Sequence, residues 1–128
     1  MSDSEAGPTT TLAAARAYAL DQLIEFASDR RVRKKLFKTD QLWTELLCYE
    51  PGQSTVMHHH PYEEELFVIL QGTATMQVGE ETITLSAGSL LHVDAVVPHG
   101  LKNLGTERLI VLFTKVPTKL AKRAREAG

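Results

Sequence analysis

The sequence predicts an all-β fold of short antiparallel strands, a sandwich or barrel, and two observations carry that expectation. Nine short segments rich in β-branched and aromatic residues follow one another between residues 32 and 116. Turn signals separate them: Thr39-Asp40, Pro51-Gly52, Gln71-Gly72, Gly79-Glu80, Ala87-Gly88, Pro98 to Gly100, and Gly105. Many short strands at regular spacing favour that architecture over alternating strands and helices.

At 128 residues the chain fits a single core. Apolar residues make up 43% and charged residues 23%, ordinary globular usage. A net charge of -2 leaves no electrostatic footprint for nucleic acid. No apolar run approaches the length of a membrane span, and the first eleven residues are polar and acidic rather than signal-like. The expectation is a cytoplasmic protein without nucleic-acid or membrane partners. The single cysteine, Cys48, excludes an internal disulfide framework and reads as a buried apolar residue.

Residues 1–11, rich in Ser, Thr, Asp, Glu, Gly and Pro, are expected to be loosely held. Residues 12–27 read as a short helix: Ala13, Ala14, Ala15, Ala17 and Ala19 favour it, and Leu20, Leu23, Ile24 and Ala27 share a stripe. Thr9, Thr10 or Thr11 would cap its start. A charged stretch, 29–35, leads out. Strands are then expected over 32–37, 42–49, 54–60, 66–70, 73–78, 82–85, 90–93, 100–103 and 108–116. The organisation is thus a polar tail and helix over 1–31, a β-domain over 32–116 and a basic tail over 117–128. Lys119, Lys122, Arg123 and Arg125 in that tail read as a solvated face. No internal repeat is evident.

The chemistry concentrates in the histidines. His58, His59 and His60 form one run, followed by Glu63, Glu64 and Glu65, and His99 stands downstream after Pro98. In a strand, His58 and His60 share one face and His59 the other. A solvated loop beside a charged face is the plain alternative. Neutral imidazoles with a carboxylate suit a first-row divalent transition metal and are too nitrogen-rich for magnesium or calcium.

These residues resemble the cupin superfamily, in particular its small single-domain metal-binding members of the cupin 2 type. The first cupin motif is matched by Gly52, His58, His60, Glu65 and Gly72 at unbroken spacing. The second runs Gly88, Asp94, Val96, His99 and Asn103, with Asp94 where the family has proline and Val96 where it has glycine. The resemblance covers about residues 32 to 116. It implies an antiparallel double-stranded β-helix, or jelly-roll barrel, with metal ligands on His58, His60, Glu65 and His99. Glu63 is a geometric competitor on the face of Glu65, and Glu64 points away. His59 and His92 are expected to be non-ligands. Gly52, Gly72 and Gly88 serve turns, and Asn103 orders one rather than touching substrate.

Three imidazoles and one carboxylate would leave a divalent iron, manganese, nickel, copper or zinc ion near +1, able to bind an anionic oxygen. Inward candidates by strand phase are Val56, Phe67, Ile69, Leu91, Val93 and Leu101, with Trp43, Leu47 or Tyr49 from the preceding strand and Lys34, Lys35 or Lys38 from a strand that cannot be phased. With no Arg or Lys on the inner face of either motif, a small, partly apolar or aromatic substrate bearing one chelating oxygen pair is favoured over a diacid. The expected activity is that of a metal-dependent enzyme of the dioxygenase kind, an oxidoreductase, with Glu65 as the catalytic proton relay. The alternatives are a non-redox isomerase or lyase, and a non-catalytic binding cupin with a structural metal. A homodimer is expected through residues 32–37 and the helix before them.

Overall fold

The computed structural model describes residues 3–58, the side chain of His58 excepted, and residues 63–117. His59, His60, Pro61, Tyr62 and the basic tail lie outside the described residues, so the expectations for them are not addressed by the structure.

The nine expected strands all form. They are β4 (Val32–Lys38), β5 (Trp43–Tyr49), β6 (Ser54–His58), β7 (Glu63–Gln71), β8 (Thr73–Val78), β9 (Glu81–Ser86), β10 (Leu90–Val93), β11 (His99–Lys102) and β12 (Leu109–Pro117), preceded by β1 (Asp3–Glu5), β2 (Thr10–Thr11), β3 (Arg16–Ala17) and a single helical turn, α1 (Leu20–Leu23). A six-stranded sheet has the order β1-β4-β5-β12-β7-β10, and a four-stranded sheet the order β6-β11-β8-β9. β2 and β3 form a separate small hairpin. The two larger sheets face each other across a core of Leu47, Tyr49, Phe67, Ile69, Val93, Leu109, Val111 and Phe113 from one and Ala74, Met76 and Leu101 from the other. The jelly-roll arrangement is therefore a sandwich of two open sheets; among the described residues, no sheet closes on itself by hydrogen bonding.

The expected helix over residues 12–27 does not form, apart from α1. Ala19, at its N-cap, supplies no side-chain hydrogen bond. Thr9, one of the expected caps, instead ties the hairpin: its Oγ1 donates to the Ala17 carbonyl and accepts from the Ala19 amide. Alanine's helix propensity is small per residue, and a short helix is marginal without tertiary support, so burial decides the conformation. Leu20, Leu23, Phe26 and Ala27 reach their apolar environment along an irregular path, covering Val32, Leu36, Leu46, Cys48 and Ile110 on the outer face of the larger sheet. This cover explains why β5 is buried on both faces from Thr44 to Tyr49. Cys48 is buried, as expected, and burial raises its thiol pKa. β1 pairs in parallel with β4, so the first residues are not all loose, and β4 is not the exposed edge expected at a dimer contact.

The motif glycines occupy turns with positive φ. Gly72 is also a close approach: a Cβ there would collide with the Arg108 carbonyl oxygen. Asn103 orders a turn, as expected. It is fully buried; its Nδ2 donates to the carbonyls of Tyr49 and Glu107, and its Oδ1 accepts from the Gly105 amide. Val96 keeps a φ of 77° where the motif has glycine, so the loop retains glycine's conformation with a β-branched residue in it.

Candidate metal centre and its cavity

The site lies on the inner face of the six-stranded sheet, where cross-strand register sets its rows. One row runs Trp43, Lys115, Glu65, Val93, and the next Glu45, Phe113, Phe67, Leu91. From the facing sheet, β11 contributes His99, and its backbone pairs directly with that of His58 on β6. Register therefore brings the two cupin motifs together at this point.

Glu65 and His99 are 1% and 2% exposed. His99 Nδ1–H donates to the Val97 carbonyl at 2.9 Å, and Nε2 faces Glu65 Oε2 at 3.0 Å. A carbonyl can only accept, so this bond fixes the Nδ1–H and commits Nε2 to the carboxylate side. Histidine ligands of metals are oriented in this way by their second ring nitrogen. Phe67 packs edge-on against the His99 ring, with centroids 5.7 Å apart. Burial alone would lower the His99 pKa, but the Glu65 hydrogen bond, the Val97 carbonyl and the Glu65 charge outweigh it and raise the pKa above its usual value. A proton on His99 is thus favoured at the place where a ligand set would hold a cation. A buried carboxylate facing an imidazole Nε2 fits a divalent transition metal, whose binding would displace that proton.

A cavity of about 270 Å³ opens from this pair. Phe67 and Leu101 line it, together with Trp43, Leu47 and Tyr49 from β5. Ile69 and Val93 are buried in the core beside it and Leu91 packs against that core, so these three support the wall rather than line it. Val56 is 78% exposed and is not part of the wall. The β6–β11 pairing shifts register between His99 and Leu101, so a strict alternation counted back from His58 fails at this irregularity and Thr55 faces the cavity instead. Gly100 makes the close approach possible, since a Cβ there would lie 3.1 Å from the Met57 amide nitrogen.

Cations do reach the wall, though from neither motif. Arg31, Arg33 and Lys115 line the cavity, all from outside the two motifs. Lys34 instead pairs with Glu25 at 2.9 Å, while Lys35 and Lys38 stack over the Trp43 ring. Glu45, 3% exposed, also lines the cavity and was not singled out by the sequence. Burial raises its carboxyl pKa against the pull of Arg33, Lys115 and Lys35. Tyr49 Oη and Thr55 Oγ1 are 2.7 Å apart and Arg31 Nε donates to Thr55; burial pushes the phenol pKa up to about 12.

A second group lies outside the cavity. Glu64 turns away from it, as expected, and meets His92 at 2.7 Å; with Asp94 they place one ligand atom each within 4.8 Å of one another. His92, expected to be a non-ligand, therefore belongs to a partly exposed cluster able to hold an ion.

The sandwich, the motif register and the His99–Glu65 pair define a cupin. The cupin domain family model matches residues 45–115, and the chain belongs to that family. Among curated proteins, it is 29% identical over 72 residues to polyketide synthase CurC of Streptomyces cyaneus, a match covering 56% of this chain and 47% of CurC. It is 30% identical over 94 residues to auxin-binding protein 1 of Arabidopsis thaliana, covering 65% of this chain and 46% of that protein. The chain spans about half the length of the curated relatives it matches. The cupin domain of Schizosaccharomyces pombe Cnp3 superposes with a TM-score of 0.76 at 19% identity, covering 88% of this chain and 81% of that one, a likeness of fold. Among the described residues, no helix is long and apolar enough to cross a membrane.

Proposed function

We propose that this chain is a metal-dependent cupin enzyme acting on a small molecule, with an oxidoreductase reaction of the dioxygenase kind as its leading activity. Residues 32–116 form the working unit, and His58, His60, Glu65 and His99 hold one divalent transition metal from the set iron, manganese, nickel, copper and zinc. The observation that carries this reading is the buried 3.0 Å contact between His99 Nε2 and Glu65 Oε2 at the cavity wall. When bound, the metal supplies Lewis acidity toward a chelating oxygen pair and, if redox-active, a route to dioxygen.

The chain's own residues orient and exclude. The Val97 carbonyl and the Phe67 ring hold His99 in one tautomer and one plane. Leu47, Phe67, Leu101 and Phe113 keep water from the substrate's apolar body. Glu65 is the catalytic residue that exchanges a proton with the bound substrate. Tyr49 stays protonated and serves as a hydrogen-bonding wall.

A second reading is a non-redox isomerase or lyase; two of the relatives are polyketide synthase proteins by name. A binding cupin with a structural metal completes the alternatives. The test is metal content by mass spectrometry on untagged protein, paired with oxygen uptake against small phenols, enediols and diketones. A redox metal with turnover supports the dioxygenase reading. Zinc without oxygen uptake favours the non-redox one. A site that unfolds when stripped favours the structural metal. We further propose a cytoplasmic homodimer; because β1 covers β4, its contact would use another edge, such as β9 or β10.

A further inference from the structure

The outer part of the cavity is built to receive negative charge. Arg31, Arg33 and Lys115 line it against two carboxylates, Glu45 and Glu65. In the reading above Glu65 is committed to a metal, and burial already disfavours ionisation of Glu45. A cavity with that balance gains from one more anion.

Among the described residues, Arg33 Nε is buried without a hydrogen bond, and Trp43 Nε1 has no acceptor beyond a weak approach to the Glu45 carboxyl. The carboxylate nearest Arg33 Nε among the ion pairs is Glu45 Oε1 at 3.8 Å, beyond hydrogen-bonding distance. Lys115 is only loosely paired, its Nζ lying 3.9 Å from Glu63 Oε1 and 4.3 Å from the centroid of the Trp43 ring. Its side chain is 11% exposed and it stands directly opposite Glu65 in the sheet. The outer nitrogens of the arginines already attract a carboxylate: Asp3 lies 3.3 Å from Arg31 Nη1 and 3.8 Å from Arg33 Nη2. Buried donors without acceptors are costly, and a ligand oxygen would remove that cost.

We propose that the cavity takes a small organic acid, its carboxylate received by Arg33 and Lys115, its flat apolar body against the packed pair of Phe67 and Phe113, and its far oxygens at His99 and Glu65. This rests on the metal reading for the far end only. The volume of about 270 Å³ sits at the lower bound for small-molecule sites, which matches a single substituted ring. It adds a carboxylate to the small aromatic chelator favoured from the sequence, because Arg33 and Lys115 supply cations from outside the two motifs.

The test uses a probe with a chelating pair at one end and the charge at the other: 3,4-dihydroxybenzoate against its neutral isostere 3,4-dihydroxybenzamide. Binding is measured by calorimetry under nitrogen, to zinc-loaded and to chelator-treated protein. The acid is expected to bind about tenfold or more tightly than the amide, as charge-assisted hydrogen bonds imply. Arg33→Gln and, independently, Lys115→Met should each cut that preference to about threefold or less while leaving the amide's affinity within about twofold. Lys115→Met serves if loss of Arg33 beside buried Glu45 unfolds the chain, which a melting curve reports. Equal affinities in the wild type, no binding of the acid at millimolar concentration, or a preference surviving both substitutions would overturn the proposal. Failure of the metal reading has a different signature: stripping zinc would change neither affinity, and the acid preference would persist.

Discussion

His99 Nε2 and Glu65 Oε2 face each other at 3.0 Å across the inner surface of the sandwich, each side chain almost wholly buried. The contact joins the second cupin motif to the first and favours a proton on His99. Its consequences are measurable.

The raised His99 pKa gives a pH dependence of definite sign. In metal-free protein the charged pair contributes stability that is fully present below the unfolded imidazole pKa of about 6.5 and is lost as pH rises through the higher folded value. Metal binding requires the neutral ring, so zinc should stabilise more as the same proton leaves. Melting temperatures of chelator-treated and zinc-loaded protein, taken between about pH 6 and pH 8.5, should diverge as pH rises. A constant gap would contradict the assignment of that proton to the ligand set.

Glu45 titrates in the same cavity with its carboxyl pKa raised by burial. A carboxyl raised on folding lowers stability as pH climbs from its unfolded pKa, about 4.3, through the folded value. Glu45→Gln should therefore be at least as stable as the wild type at neutral pH, with its advantage shrinking toward about pH 4 in urea titrations. Strong destabilisation at neutral pH would mean that Glu45 is needed as a charge for Arg33.

Val96 holds a left-handed φ of 77° with a β-branched side chain that is 58% exposed. Val96→Gly removes the steric cost, about 1–3 kcal/mol, and adds back chain entropy of about 0.5–1 kcal/mol. The variant should gain about 1 kcal/mol in denaturant unfolding, whereas a loss would show that the side chain packs more usefully than its exposure indicates.

Much of the fold could be read from the sequence because its strands are bounded by turn residues, and all nine expected segments pair. Of the expected ligand positions, Glu65 and His99 meet at the cavity, and the two motifs pair with each other through β6–β11 and β7–β10. Residues 12–27 misled because alanine content reports a weak local preference, while Leu20, Leu23 and Phe26 answer to the sheet they cover. Val56 misled because the register shift opposite Gly100 interrupts the alternation on which its phase was counted. Arg33 and Lys115 were missed because they lie outside the motifs, on strands whose pairing no local spacing encodes. Glu45 carried no signal except an apolar strand around it.

The central claim is that the metal sits at His99 and Glu65 inside the cavity, and the exposed group of Glu64, His92 and Asp94 supplies its sharpest control. The decisive measurement is metal content by mass spectrometry of untagged wild type, His99→Ala and His92→Ala, with His59→Ala as a further reference. The account predicts about one transition metal per chain in the wild type, the His92 variant and the His59 variant, and loss of most of it in the His99 variant. Metal retained by His99→Ala and lost from His92→Ala would move the site to the outer face and contradict the account.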